Sequence, residues 1–134
     1  MRPALSLLAI ALAAGLAATA AAAQSLSPMT NSGTTPSDVK GFRLLVGNPY
    51  KQKMVFVVVP MDPRFEIAAE DAMVNFPELT MAPGMSRQVI VTFRIDAQHK
   101  ERTIGVCVWP KQVDGPILPR VCGRYTGKRL VAGG

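Results

Sequence analysis

Cys107, Cys122, His99 and Trp109 are the residues of this chain with the widest chemical repertoire. They are also all the cysteine, histidine and tryptophan it has. A metal centre needs several nitrogen or sulfur ligands at close spacing. With one histidine and no Cys-x-x-Cys that set is missing, so no metal and no other cofactor is expected. Nucleophilic catalysis needs a base within reach of the nucleophile. His99 sits in Asp96-Ala97-Gln98-His99-Lys100-Glu101, a polar run between two apolar ones, and reads as a solvated turn residue. Glu70-Asp71, the adjacent carboxylates that could share acid–base work, read as surface charges on a short turn. Ala82-Pro83-Gly84 is a turn and Ala132-Gly133-Gly134 a tail, so no loop is built to cradle phosphate. No catalytic residue is assigned, and the chain reads as a binding protein rather than an enzyme.

The two cysteines carry a sharper expectation. They are symmetric about Asp114-Gly115, a favoured two-residue hairpin turn with φ > 0 at both positions. That register sets Cys107 directly opposite Cys122, with Cβ atoms about 4.5–5.5 Å apart, close enough for a cross-strand disulfide. Alternation puts both cysteines on the outer faces of their strands, with Val106 and Val121 turned inward. Pro110, Pro116 and Pro119 remove ladder donors, so the tip from Pro110 to Pro119 also reads as a loose loop. The alternative is a reduced pair that merely packs. Trp109 shares the outer face with Cys107 and either covers the disulfide or anchors a partner.

The elements that must position these residues read as strands. The first 23 residues form a leader: Arg2, an uncharged Leu/Ile/Ala run from Ala4 to Ala18, and small residues at Ala21-Ala22-Ala23, with cleavage expected before Gln24. The alternative is a leader retained as a membrane anchor. Residues 24–38, rich in Ser, Thr, Pro, Asn and Gly, read as a flexible arm with at most one edge strand. From Val39 to Gly127 apolar runs alternate with turn residues every eight to twelve positions, the pattern of an antiparallel β-sandwich of about seven strands. Expected strands are Gly41–Val46, Met54–Val59, Phe65–Ile67, Met73–Phe76, Leu79–Met81, Arg87–Ile95, Arg102–Trp109 and a last one around Val121–Tyr125. Asn48-Pro49, Pro60, Pro63 and Pro83-Gly84 break them. Residues 128–134 read as a basic, Gly-rich tail.

The sequence of 134 residues carries 15 Lys+Arg against 9 Asp+Glu. Without Arg2 the formal charge is about +5, compatible with a solvated basic surface or an acidic partner. No block of five like charges occurs, and an exported chain rarely meets nucleic acid.

Three stretches resemble the immunoglobulin-like domains of the PapD-like superfamily, which include the N-terminal domain of periplasmic pilus chaperones and, more distantly, major sperm protein domains. They are Phe42-Arg43-Leu44-Leu45-Val46-Gly47-Asn48-Pro49; Phe76-Pro77-Glu78-Leu79-Thr80-Met81-Ala82-Pro83-Gly84 running into Met85–Val91; and Lys100-Glu101-Arg102 leading through Ile104–Trp109 to Pro110. The resemblance implies an immunoglobulin-like sandwich, and one chaperone subgroup joins its sixth and seventh strands by a disulfide, where Cys107 and Cys122 would lie. It also has limits. Pilus chaperones have two such domains with a basic cleft between them, and this chain has room for one. Their first-strand arginine, which helps to hold the pilin's terminal carboxylate, has no counterpart between Gln24 and Asp38. Neither Arg120 nor Arg124 matches their seventh-strand lysine, so no carboxylate site is carried over.

The chain therefore reads as a periplasmic, chaperone-like or accessory protein. It would bind an exported protein subunit, acidic in character, by strand addition to a sheet edge. The candidate edges are Leu118–Tyr125 and the Ser/Thr-rich arm, and the candidate contact residues are Trp109, Leu118, Arg120, Arg124, Tyr125, Lys128 and Arg129. The alternative is a structural subunit of a larger cell-envelope complex, docked through its arm.

Overall fold

The computed structural model of the chain describes residues 23–130. The expected leader, apart from Ala23, and the last four residues of the expected tail lie outside them. Nine strands follow in order: β1 Ser25–Ser27, β2 Thr30–Thr35, β3 Val39–Gly47, β4 Met54–Met61, β5 Ala72–Val74, β6 Glu78–Met81, β7 Ser86–Arg94, β8 Glu101–Pro110 and β9 Val121–Arg129. They form two stacked sheets, β1-β3-β7-β5 and β2-β9-β8-β4-β6. All pairs are antiparallel except β2 with β9. Among the described residues no helix is long and apolar enough to cross a membrane.

The alternating segments behave as period-two strands must. On β7 and just beyond it, Val89, Val91, Phe93 and Ile95 are at most 1% exposed. They meet Ile104, Val106 and Val108 of β8, Phe56 and Val58 of β4, and Phe42, Leu44 and Val46 of β3 in one core. Phe42 stacks on Phe93 at 6.1 Å and lies 5.8 Å from Tyr125. Asn48 ends β3 as expected and is buried with its polar groups used. Its Nδ2 donates to Met81 O (2.9 Å) and Gln52 O (3.1 Å), and its Oδ1 accepts from Tyr50 N. Its backbone bonds on both sides to the Pro83-Gly84 turn, where Gly84 has φ +72°.

The segment from 24 to 38 is not a flexible arm: it supplies two strands, one to each sheet. Leu26 fills the core from β1, and β2 runs parallel to the second half of β9, Thr30 against Arg124 through Thr35 against Arg129. Backbone pairing, which leaves no hydrophobic period in the sequence, holds this polar stretch. The strands thus begin at Ser25 rather than Val39. At the other end Lys128 and Arg129 belong to β9 rather than to a tail. Phe65–Ile67 is not a strand either, but a folded loop that crosses the outer face of the five-stranded sheet.

Candidate protein-binding edge

β8 and β9 are paired from Glu101–Lys128 to Val108–Val121, with Cys107 directly opposite Cys122. The two cysteines are joined in a disulfide with Cα atoms 4.1 Å apart. Cys107 is fully buried and Cys122 half-buried, on the outer face, while Val106 and Val108 enter the core. The ladder stops at Val108–Val121. Beyond it the tip is a loop, because Pro110 and Pro119 have no N–H to continue the rungs. Gly115 has φ +116°, but Asp114 is not in the left-handed region, so the two-residue hairpin turn does not form. The carbonyls of Val108 and Pro119 both accept from the buried Gln24 side-chain amide, at 2.7 and 2.5 Å. Gln24 has no signal in the sequence beyond its place after the expected leader.

The sides of β9 can be assigned from its bonds. Arg124 N donates to Met29 O (2.9 Å) and Leu130 N to Thr35 O (2.8 Å). Even-numbered residues of β9 therefore aim their backbone groups at the β2 side and odd-numbered ones at β8. The short Cα separation at Cys122 agrees, since non-hydrogen-bonded antiparallel pairs are the closer ones, about 4.5 Å. β2 begins its pairing only at Arg124. Among the described residues the stretch before it, through Gly123, is an unpaired edge, and Cys122 aims its N–H and C=O outward along it. The loop running into this edge carries Ile117 and Leu118, 78% and 49% exposed.

The other expected contact residues have different fates. Tyr125 is buried in the core, with its hydroxyl donating to Pro28 O at 2.5 Å, and so offers nothing to a partner; it faces inward with Val121, as their parity requires. The expected edge Leu118–Tyr125 is consequently shortened to Leu118–Gly123, the rest being covered by β2. Arg120 and Arg124 are exposed, yet each holds the 62–67 loop down. Arg120 Nη1 donates to Phe65 O (3.0 Å) and Arg124 Nε to Pro63 O (2.8 Å), with the Arg124 guanidinium 4.4 Å from the Phe65 ring centroid. Trp109 is half-buried on the outer face, across from Val57 of β4. Lys128 is exposed and Arg129 half-buried, both far along β9 from the open stretch.

The 62–67 loop is tightly organised. The Asp62 carboxylate accepts from Ile67 N (2.9 Å), Glu66 N (2.6 Å) and Arg64 N (3.2 Å), and these backbone N–H groups, Ile67's first, hold its pKa below the usual carboxylate range. Phe65 has φ +61° and lays its ring on Gly105. A Cβ at position 105 would stand 2.6 Å from Phe65 Cδ1 and 2.7 Å from Asp62 O. Gly105→Val is therefore expected to lift the loop and to lower stability by about 1–3 kcal/mol, read as a shifted urea midpoint. A change within error would show that the loop moves aside freely.

An open cleft of about 760 Å³ lies at the opposite end, lined by Glu70, Asp71, Asp96, His99 and Arg102 among others. His99 is exposed, as expected of a turn residue, and lies 3.4 Å from the Asp96 carboxylate. The Gln98 N–H, then His99, lowers the Asp96 pKa. Arg102 donates to Arg94 O and Glu70 O, both at 2.7 Å. Among the described residues no group of three His, Cys, Asp or Glu side chains is disposed to hold a metal ion.

No family model matches the sequence, and no curated protein matches it. Solved structures do match its fold. The E. coli chaperone DraB superposes with a TM-score of 0.65 at 15% identity, over 84% of this chain and 57% of its own. The SafB chaperone structure from Salmonella enterica, in complex with the SafA pilin, gives 0.64 at 14% identity, over 84% and 57%. A PapD-like domain of human CEP192 gives 0.59 at 11%, over 83% of this chain and 87% of that one. The chain thus has the PapD-like immunoglobulin fold and spans a little over half the length of the chaperones it matches.

Proposed function

We propose that this chain is a periplasmic chaperone-like or accessory protein, not an enzyme, that engages an exported polypeptide by strand addition at Leu118–Gly123. The observation that carries the reading is the unpaired backbone edge at Cys122, in line with the exposed Ile117 and Leu118. An added strand would gain main-chain hydrogen bonds from that edge and apolar contact from the loop. Similarity of fold to chaperones described with a pilin or with a tip adhesion subunit supports the reading. Arg120 and Arg124 flank the edge and keep spare N–H groups after bonding the loop, which favours acidic residues in the partner.

The test is capture of partner subunits from envelope extracts by the processed, oxidised domain. Ile117→Asp with Leu118→Asp alters two exposed residues and is expected to cut capture at least tenfold (about 1.4 kcal/mol) with the melting temperature unchanged. Undiminished capture would remove this edge from consideration. The second reading, a subunit of an envelope complex, is favoured by the long uncovered side of β2. It predicts co-fractionation at fixed stoichiometry.

A further inference from the structure

Among the described residues the outer side of β2 is a second open edge, separate from Leu118–Gly123, and its surroundings specify an occupant. The bonds from Arg124 N to Met29 O and from Leu130 N to Thr35 O show that Met29, Asn31, Gly33 and Thr35 turn their backbone groups to β9. Thr30, Ser32 and Thr34 turn theirs away from the sheet. The Ser32 N–H is taken by the exposed Asn31 Oδ1 at 2.9 Å, a local bond that an incoming carbonyl can displace. Natural edges are usually blunted by proline, lysine or a bulge. The six residues Thr-Asn-Ser-Gly-Thr-Thr have no proline and no charge, and their pairing with β9 runs without interruption.

Two lysines bracket this edge. Lys128 is the register partner of Thr34, exposed on the outer face, where Thr30, Ser32 and Thr34 are small and leave it room. Lys40 covers the other face. Its Nζ lies 3.2 Å from where a Cβ on Gly33 would stand and 4.9 Å from the Phe42 ring centroid. Glu101 is the cross-strand neighbour of Lys128, but neither lysine forms an ion pair among the described residues. A second copy pairing through β2 would bring four lysines together, so charge disfavours self-association. Successive side chains of an added strand point to opposite faces. Two adjacent acidic residues would therefore meet Lys128 on one side and Lys40 on the other.

We infer that the free edge of β2 receives an extended polypeptide segment carrying adjacent acidic residues, paired to Thr30–Thr34 through the backbone and held by Lys40 and Lys128. The test uses the whole oxidised chain and two short Thr/Val peptides, one with a central Glu-Glu and one with Lys-Lys in its place. The Glu-Glu peptide is expected to bind and to slow amide exchange at Thr30 and Thr34, and added salt is expected to weaken it. K40E/K128E is expected to weaken it roughly tenfold. Thr34→Pro removes only an outward-facing N–H and is expected to abolish binding with β9 still protected. The Ile117/Leu118 variants should bind this peptide normally, which separates this site from the edge proposed above. Equal binding of both peptides, protection at Cys122 instead of β2, or sedimentation as a β2-paired dimer would each overturn the inference.

Discussion

Tyr125→Ala is expected to cost about 3–5 kcal/mol of unfolding free energy. Tyr125 is completely buried, packs against Phe42 at 5.8 Å and bonds through its hydroxyl to Pro28 O. That bond ties β9 to the link between β1 and β2, where the chain crosses from one sheet to the other. Removing the ring leaves a cavity at the junction of three strands. Tyr125→Phe keeps the packing and loses only the bond, so about 1 kcal/mol is expected. Burial also pushes the phenol up to about 12 from its ordinary 10.0. A raised pKa means the associated stability is fully present below pH 10 and is lost as pH rises from 10 towards 12. Urea unfolding of the native chain should therefore show an alkaline decline that Tyr125→Phe lacks. Identical alkaline profiles would place the hydroxyl in solvent.

Removing the disulfide as Cys107→Ala with Cys122→Ala is expected to cost about 3 kcal/mol, from the entropy of a closed loop of this length. Within the closed segment Val108 pairs with Val121, and Trp109 and Pro110 pair with β4, but residues 112–119 belong to no strand. The covalent link and the Gln24 amide join the Val108–Val121 pair and the Lys111 N to Val55 O bond in holding its base. Eight paired positions between β8 and β9 survive the change, so the fold is expected to persist, with the tip loosened. Alanine is the better replacement, because a serine hydroxyl at the fully buried position 107 would need a partner. Denaturant titrations of the double variant and of the native chain in reductant should agree. A loss below about 0.5 kcal/mol would mean that the unfolded chain gains little freedom when the link is cut.

The two variants act on opposite faces of β9. Tyr125 looks into the core and Cys122 outward, beside the edge proposed for partner binding. Loosening the tip should therefore weaken capture more than it weakens the sandwich.

Much of this architecture is legible in the amino-acid sequence. Alternation on β3, β7 and β8 named the core, because a half-buried strand repeats every two residues and the chain obeys that repeat. The cysteine pairing followed from the same parity and from the symmetry about Asp114-Gly115, even though the turn itself opened into a loop. Breaks at Asn48-Pro49 and Pro83-Gly84 held because proline and glycine act through their own backbone geometry. Parity also named Val121 and Tyr125 as sharing a face. It turns Val121 inward, and the same parity buries Tyr125, which therefore does not serve as the contact residue expected of it.

The sequence by itself thus determined the fold class, the sulfur link and the inner faces of the long strands, since each depends on residue type and on spacing along one strand. Only the tertiary structure decided where the sheets end. β2 is held by backbone pairing to a strand about ninety residues away, and such bonds use groups that every residue has. It also decided that Arg120 and Arg124 fasten a loop while the edge beside them stays open. The reach of a guanidinium depends on what folds over it, and no local pattern encodes that.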